Sequence, residues 1–414
     1  MAMTKYNDAL NSRDNAGRTP LIWGSLEGHD NIVRMLLDKG ADVNAQGGAY
    51  GNALQAASQG GHDNIVRMLL DKGADVNAQG GAYGNALQAA SEGGHNNLVQ
   101  MLLDKGADVN AQGGRYGNAL QAASQGGHEN IVKILLDNGA DVNAQGGRYG
   151  NALQAASSRG HNNIVQILLD KGADVNAQGG RHGNALYAAS QGGHNNIVQM
   201  LLDKGADVNA QGGDYGNVLY AASQGGHNNI VRMLLDKGAD VNAQGGAYGN
   251  ALQAASQGGH NNIVRMLLDK GADVNAQGGV YGNALQAASQ GGYNNIVQML
   301  LDKGADVNAQ GRRYGNALQA ASEGGHENIV KILLDKGADV NAQGDHYGNA
   351  LYIASSRGHN NIVQILLDKG ADVNAQGGRY GNALYAASEG GHENIVKILL
   401  DKGADVGKDR NNGA

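Results

Sequence analysis

The chain has 414 residues, and 31 Lys and Arg against 38 Asp and Glu give it a formal net charge of −7. That charge does not suggest the basic face of a nucleic-acid-binding protein. The absence of cysteine excludes disulfides, thiolate catalysis and cysteine-bound metals. No apolar run approaches the roughly 20 residues of a membrane helix, and the first residues lack the apolar stretch of a signal peptide. We therefore expect a cytoplasmic protein that binds neither nucleic acid nor membranes.

A single unit of 33 residues is repeated along the chain. The string Gly-Ala-Asp-Val begins at Gly40 and returns every 33 residues, twelve times in all. Counted from Asp14, repeats 1 to 12 fill residues 14–409 without insertion or deletion. Residues 1–13 are then a leader or the tail of a preceding repeat, and residues 410–414 are a C-terminal tail. Such a fixed period predicts one array of repeats rather than several domains.

The first element predicted in each repeat is a short helix. In repeat 2 this helix runs from Ala53 to about Gln59. Asn52 is a favourable N-cap, and Gln55, three residues later, forms a variant of the capping box. The pair of glycines that follows the helix ends it.

A second helix is predicted from about Asn64 to Lys72 of repeat 2. Its apolar residues recur at positions i, i+1, i+4 and i+5 from Ile65, and Gly73 is the expected left-handed residue after the helix. A hairpin-like connector rich in Gly and Asn leads to the next repeat. Neither helix is long enough to be stable alone in water. The pattern predicts an all-α repeat solenoid, with a hairpin and two helices per repeat, stacked in one curved array.

Repeat 1 contains three short motifs, namely Thr19-Pro20-Leu21, Gly28-His29 and the run from Gly40 to Asn44. Together with the 33-residue period they resemble the ankyrin repeat, and the resemblance covers 396 of the 414 residues. It implies a scaffold for protein-protein recognition, with no enzymatic activity and no cofactor. It also implies that partners bind at the hairpins and at the end of the first helix.

Repeats 2 to 12 depart from that family in their first third. They have Asn-Ala-Leu followed by Gln or Tyr in place of Thr-Pro-Leu-His, with Val218 once instead of Ala, and Tyr or His182 in place of the turn glycine. Because a Tyr with positive φ would be strained, we expect a rebuilt hairpin tip that uses the neighbouring glycines. The repeated sequence Gly-Gly-X-Tyr-Gly-Asn-Ala-Leu-Gln resembles that of the repeat arrays in filamentous-fungal STAND receptors. These receptors are NOD-like and carry a NACHT module. This second resemblance implies the ligand-sensing arm of a larger receptor in innate immunity.

Positions that vary between otherwise copied repeats are the candidate partner-binding positions. Those at the hairpin tips are Arg115, Arg148, Arg181, Asp214, Arg312, Arg313, Asp345, His346 and Arg379. Arg159 and Arg357 lie at the end of the first helix in repeats 5 and 11. The excess of Arg favours an acidic surface on the partner protein. The alternative interpretation is drift on a solvated face.

A second set of candidate residues lies in the first helix. Tyr187, Tyr220, Tyr352 and Tyr385 replace the usual Gln, and Ile353 replaces the usual Ala. Tyr beside Arg on a concave face is typical of the residues that dominate the binding energy of interfaces. The alternative is structural, since the ankyrin resemblance implies hydrogen bonding between repeats at the Tyr position.

Three ladders of repeated side chains are interpreted as structural. The Gly-His histidines, beginning at His29, and the aspartates, beginning at Asp38, lie one repeat apart. Helix packing puts that distance at roughly 8–10 Å, too far to share a metal ion or to form a carboxylate pair. The hairpin tyrosines, beginning at Tyr50, are expected to pack beneath the hairpins rather than to form an aromatic rail for a partner.

Two further interpretations of the whole chain stay open. Repeat 12 keeps the apolar residues of its second helix, and repeat 1 adds Ile22, Trp23 and Leu26. Apolar end repeats predict self-association, as in an architectural rod or a self-assembling unit. The near-identity of the repeats also permits an engineered, consensus-like array.

Overall fold

A computed structural model describes residues 10–212, 216–245, 249–311, 315–344, 348–378 and 381–405. The chain folds as two compact units, Met1–Asp214 and Tyr215–Ala414. Within the described ranges, each unit contains six consecutive helix pairs, one pair per repeat. Neighbouring pairs pack on each other inside each unit. The predicted solenoid of helical repeats is therefore confirmed in each unit.

The helices are short and of nearly constant length. The first unit contains α1 (Pro20–Leu26), α2 (Asp30–Asp38), α3 (Ala53–Gly60), α4 (Asp63–Asp71), α5 (Ala86–Gly93), α6 (Asn96–Asp104), α7 (Ala119–Gly126), α8 (Glu129–Asp137), α9 (Ala152–Arg159), α10 (Asn162–Asp170), α11 (Ala185–Gly192), α12 (Asn195–Asp203) and β1 (Gln211–Gly212). The second unit contains β2 (Gly216–Asn217), α13 (Val218–Gln224), α14 (Asn228–Asp236), β3 (Gln244–Gly245), β4 (Gly249–Asn250), α15 (Ala251–Gln257), α16 (Asn261–Asp269), α17 (Ala284–Gly291), α18 (Asn294–Asp302), α19 (Ala317–Gly324), α20 (Glu327–Asp335), α21 (Ala350–Arg357), α22 (Asn360–Asp368), α23 (Ala383–Glu389) and α24 (Glu393–Asp401). Strands β3 and β4 pair antiparallel, with Gln244 opposite Asn250.

The N-cap predicted for the first helix of repeat 2 is confirmed. The side chain of Asn52 accepts a hydrogen bond from the Gln55 N–H at 2.9 Å, and the Gln55 side chain accepts one from the Asn52 N–H at 2.9 Å. The helix ends at Gly60, one residue later than predicted, and Gly61 follows with a φ of 76°. The second helix, Asp63–Asp71, begins and ends one residue earlier than predicted.

The hairpin tip places glycine wherever a positive φ is needed, as predicted. In repeat 3, φ is 62° at Gly81 and 88° at Gly84, and every residue with positive φ in the described ranges is a glycine. The N–H of Gly80 donates to the Gly84 carbonyl at 2.7 Å and closes the hairpin. A Cβ on Gly81 would lie 2.6 Å from the carbonyl oxygen of Ala49 in the preceding tip. Adjacent tips therefore touch through their backbones.

The apolar core lies between consecutive helix pairs. In repeat 2, Leu54 of α3 and Ile65, Val66 and Leu69 of α4 are almost fully buried. Each side chain of this kind contributes about 1.5–3 kcal/mol by leaving water. Because neighbouring repeats provide the covering surface, a single repeat cannot bury its own apolar face.

In repeats 2 to 5, a buried glutamine links the first helix to the hairpin of the next repeat. The side-chain amide of Gln55 donates to the carbonyls of Ala78 at 2.9 Å and Gly84 at 2.8 Å, on the two sides of that hairpin. The same pattern recurs at Gln88, Gln121 and Gln154. These hydrogen bonds fix where each hairpin lies, and so where the tip residues lie.

Histidine and asparagine side chains also join neighbouring repeats. Nε2 of His62 lies 3.0 Å from the carbonyl oxygen of Leu26 in the preceding repeat. Nδ2 of Asn44 donates to the carbonyl of Gly73 in the following repeat at 3.2 Å. The structural interpretation of the Gly-His histidines is confirmed for those whose Nε2 lies 2.9–3.4 Å from a backbone carbonyl oxygen of the preceding repeat, namely His62, His95, His128, His161, His194, His260, His326, His359 and His392.

Candidate protein-binding surface

Direct backbone hydrogen bonds join the hairpin tips of the first unit. The residue before the hairpin tyrosine in one repeat donates its N–H to the carbonyl of the equivalent residue in the preceding repeat. These bonds measure 2.7–3.1 Å and join Ala49, Ala82, Arg115, Arg148 and Arg181 in that order. Strands bonded in this way lie about 4.8 Å apart, closer than the roughly 8–10 Å of packed helices. Three arginines thus occupy successive rungs of one backbone ladder.

The first of these arginines, Arg115, has an acidic partner within the protein. Its Nη2 lies 3.5 Å from Glu92 Oε1, and its guanidinium lies over the rings of Tyr83 and Tyr116 at 5.1 and 4.6 Å. The Tyr116 hydroxyl donates to the same carboxylate at 3.2 Å. Burial, and then the negative charge of Glu92, raise the pKa of Tyr116 to about 12. This tip is a closed cluster whose positive charge is already balanced.

The arginines of the next two repeats line an open cavity instead. Arg148, Tyr149, Arg159, Arg181 and His182 surround a volume of about 290 Å³, and this set is called the arginine pocket. The three guanidinium groups are exposed. Within the described ranges, none of them forms an ion pair with a carboxylate. The arginine pocket therefore concentrates positive charge that the residues described by the structure leave unbalanced.

Polar and aromatic contacts give the arginine pocket its shape. Nη2 of Arg159 donates to the Tyr149 hydroxyl at 3.3 Å. With its amide oxygen turned toward Arg159, Gln125 accepts from Nε at 3.1 Å and from Nη2 at 2.7 Å. The Tyr149 ring stacks on the His182 ring with centroids 6.4 Å apart. The acceptors that hold Arg159 here are thus neutral, so these contacts do not balance its positive charge.

His182 is affected by the same positive potential. Burial is the largest cause that lowers the pKa of His182, and the charges of Arg181 and Arg148 lower it further. A hydrogen bond with Gln191 opposes this shift. The imidazole therefore favours its neutral form, as expected beside cationic groups.

Arg357 has an acidic partner, whereas Arg159 has none among the residues that the structure places. Its Nη2 lies 2.6 Å from Glu323 Oε1. Glu323 occupies the position that Gln125 occupies 198 residues earlier. Arg357 therefore remains on the candidate surface, but with its charge balanced by the preceding repeat.

Three tyrosines of the first helix are buried, and their assignment to an exposed binding surface is corrected. Tyr187 is 1% exposed, Tyr220 is 0% exposed and Tyr352 is 6% exposed. Each takes the place of the buried glutamine, and its ring lies against a glycine of the following hairpin. A Cβ on Gly212 would lie 2.0 Å from the Tyr187 ring, and one on Gly245 would lie 3.0 Å from the Tyr220 ring. Packing between hairpin and helix, rather than a partner, covers these rings.

The two remaining candidates of the first helix differ from each other. Ile353 is 6% exposed and packs with Tyr352 and Ala386, so its assignment to a binding surface is corrected as well. Tyr385, in contrast, is 52% exposed. It lies in repeat 12 and remains a candidate.

Six candidate residues at the hairpin tips lie outside the described ranges. They are Asp214, Arg312, Arg313, Asp345, His346 and Arg379. The candidates that the structure places on the surface are Arg115, Arg148, Arg159, Arg181, Arg357 and Tyr385.

The hairpin tyrosines pack into the protein, as predicted, wherever the structure describes them. Tyr116 is buried, and Tyr50, Tyr83, Tyr149 and Tyr281 are half-buried. Tyr50 and Tyr83 stack with ring centroids 5.9 Å apart. The row leaves part of each ring accessible, but it does not form a free aromatic rail.

The aspartate ladder is paired with lysines of neighbouring repeats. Nζ of Lys72 lies 3.0 Å from Oδ1 of Asp38, one repeat earlier, and both side chains are largely exposed. Equivalent pairs recur along both units. Among the residues placed by the structure, no cluster of His, Asp or Glu could hold a metal ion. No helix in those ranges is long and apolar enough to cross a membrane.

Comparisons with known protein families match almost the whole chain. A family described as "Ankyrin repeats (3 copies)" matches residues 46–113, 86–179, 120–212, 153–245, 185–278, 219–311, 278–344 and 343–410. A family described as "Ankyrin repeat" matches residues 16–48. A search of curated proteins gives no match.

Proposed function

Because the chain belongs to the ankyrin-repeat family, whose repeats are protein-interaction modules, we propose that it binds an acidic surface of a partner protein through its hairpin tips. The family is typically a non-enzymatic binding scaffold. The observation that carries the proposal is the arginine pocket, where three exposed guanidinium groups have no acidic partner in the described ranges. Such a patch attracts and orients an acidic partner and rejects a basic one.

The finer proposal is that the array is the ligand-sensing arm of a larger receptor-like protein. This proposal is supported by the resemblance of the repeated sequence to the repeats of filamentous-fungal STAND receptors. In this role the array recognises the ligand, and a module elsewhere in the receptor responds. For this reason the partner is sought in a filamentous fungus.

The test is affinity capture from a fungal lysate with three baits. They are the wild-type chain, the variant Arg148→Gln/Arg159→Gln/Arg181→Gln, and the control Arg67→Gln/Arg232→Gln/Arg265→Gln. The control removes the same charge from exposed arginines on second helices. We expect a protein that the wild type and the control retain and that the pocket variant loses. Identical retention by all three baits would refute the assignment of the surface.

Exposed apolar residues in the first and last repeats favour a second candidate function, assembly of chains with one another. Ile32 is 48% exposed, whereas its equivalent Ile65 is fully buried. Trp23 and Ile32 line a cavity of about 560 Å³. In repeat 12, Leu400 and Tyr385 are likewise exposed. Surfaces that pack between repeats elsewhere can pack between chains here.

Light scattering over a concentration series tests this second candidate. If chains assemble, the measured mass rises with concentration. The substitution Ile32→Asp should then lower the mass to that of the monomer, 42.6 kDa. A mass that stays at the monomer value up to about 100 μM contradicts assembly, because interfaces of standard size bind at micromolar or lower concentrations.

A further inference from the structure

The charge balance of the hairpin ladder changes abruptly between repeats 4 and 5. Glu92, 23 residues before Arg115, supplies that arginine with a carboxylate. The equivalent residue is Gln125 for Arg148 and Ser158 for Arg181. The backbone bond between Arg148 and Arg181, at 3.1 Å, nevertheless holds these two on adjacent rungs. Like charges at such close spacing repel each other, so an anion between them would stabilise this part of the protein.

The cavity between these arginines has the size and chemistry of an anion site. Its volume of about 290 Å³ is many times what a single water molecule requires, so a small anion fits within it. Arg159 enters from the end of α9 and the other two arginines from the tips, so the donors converge from two structural elements. Guanidinium groups bind phosphate and carboxylate oxygens with paired, charge-assisted hydrogen bonds.

The sequence contains a second segment, related to the one that forms the arginine pocket, in which an arginine is paired with a carboxylate. Repeats 10 to 12 resemble repeats 4 to 6 at a distance of 198 residues, and among their differences Glu323 replaces Gln125, Glu389 replaces Gln191 and His346 replaces Arg148. Glu323 forms an ion pair of 2.6 Å with Arg357, the counterpart of Arg159. At this helix position, a Gln-to-Glu difference thus separates an arginine that has a carboxylate partner from one that has none among the described residues.

We propose that the arginine pocket binds a phosphate dianion, the phosphoryl group of a phosphomonoester. A phosphomonoester carries about −1.5 to −2 charges at pH 7 and three acceptor oxygens, which suits three guanidinium groups better than a single carboxylate does. The ester is carried either by a side chain of the partner protein or by a free small molecule. The first source rests on the proposed function, and the second does not.

The direct test uses phenyl phosphate and inorganic phosphate as probes. Their binding is measured by the line width of the phosphorus NMR signal and by calorimetry. The variant Gln125→Glu places beside Arg159 the carboxylate that the protein already uses at Glu323. The variant Gln59→Glu is the control, because it makes the same change at the same helix position in repeat 2, where the following tip is Ala82. We expect binding by the wild type and the control, and an affinity about tenfold lower or worse for Gln125→Glu.

Each outcome decides the proposal. Absence of binding by the wild type at millimolar probe, or equal binding by Gln125→Glu, overturns it. Circular dichroism of Gln125→Glu checks that the helices persist, and Arg148→Gln must lose affinity as well. Lysate treated with phosphatase separates the sources: loss of the captured protein supports a phosphorylated partner, and its retention supports a free phosphate compound. If phosphate binds at the pocket but capture does not depend on it, the proposed function fails and the phosphate site stands.

Discussion

The side-chain amide of Gln55 donates to the carbonyl of Gly84, twenty-nine residues further along the chain, at 2.8 Å. The same side chain accepts from the N–H of Asn52 and donates to the carbonyl of Ala78. One buried glutamine therefore caps its own helix and fixes the next hairpin. The positions of the tip residues, including the arginines of the proposed binding surface, depend on this link.

Replacing such a glutamine is expected to destabilise the array strongly. In Gln121→Ala, the carbonyl of Ala144 and the N–H of Asn118 lose their partner, and the carbonyl of Gly150 keeps only its bond to the Gly146 N–H. Buried groups left without a hydrogen bond predict a loss of about 2–4 kcal/mol in the free energy of unfolding. Urea denaturation measures this loss, with the exposed Gln166→Ala as a control that changes the free energy by less than about 0.5 kcal/mol. A similar effect of both substitutions would show that the link contributes little.

The Lys–Asp ladder is expected to contribute little to stability. Nζ of Lys171 lies 3.3 Å from Oδ1 of Asp137, but both side chains are mostly exposed. Exposed ion pairs of this type contribute about 0–1 kcal/mol, and salt screens them. Urea denaturation should show that Lys171→Gln lowers the free energy of unfolding by less than about 0.5 kcal/mol at low salt. At high salt this difference should disappear. A loss as large as that of Gln121→Ala would contradict this reading.

The buried serine of the first helix is expected to be replaceable by alanine. Oγ of Ser124 is buried, and no hydrogen-bond partner is found for it among the described residues. Because a buried hydroxyl without a partner costs free energy, Ser124→Ala should leave stability unchanged or raise it by about 1 kcal/mol. Ser388, the equivalent but more exposed residue of repeat 12, is the comparison, since its Oγ donates to the Leu384 carbonyl at 2.7 Å. Thermal unfolding should show Ser388→Ala to be the more destabilising of the two.

His182 predicts a dependence of stability on pH. Burial and the neighbouring arginines lower its pKa in the folded state below the ordinary 6.5. Between these two values the unfolded chain binds more protons, so stability falls as the pH decreases through 6.5 toward the lowered pKa. Tyr occupies this position in the other repeats after the first, and His182→Tyr should remove this part of the acid sensitivity. Urea denaturation at several pH values compares the two chains, and parallel profiles would contradict the prediction.

Much of the fold could be predicted from the repeated sequence because its period fixes local structure. The cap at Asn52, the glycines of the tip and the apolar stripe of the second helix are local patterns, and each was found within one residue of its predicted place. The histidines could be recognised as structural because their spacing excludes a shared metal. These inferences required no knowledge of how one repeat lies on the next.

The candidate site was less predictable because it depends on contacts between repeats. Whether Tyr187 faces a partner or the next hairpin is decided by the position of Gly212, and a glycine stands there in nearly every repeat, so the sequence carries no distinguishing signal. The pairing of Arg115 with Glu92 was missed for a similar reason. The close spacing of adjacent tips follows from backbone bonds that helix-packing distances do not reveal.

The most direct measurement is the affinity of the captured partner for the wild-type chain and for Arg148→Gln/Arg159→Gln/Arg181→Gln, at low and at moderate salt. If the arginine pocket is the binding surface, the wild type loses affinity as salt rises, because the contacts are charged. The variant should then bind at least about tenfold more weakly at low salt, the effect of losing one charged hydrogen bond or more. Equal affinity of the two chains for the partner at both salt concentrations would contradict the proposed binding surface.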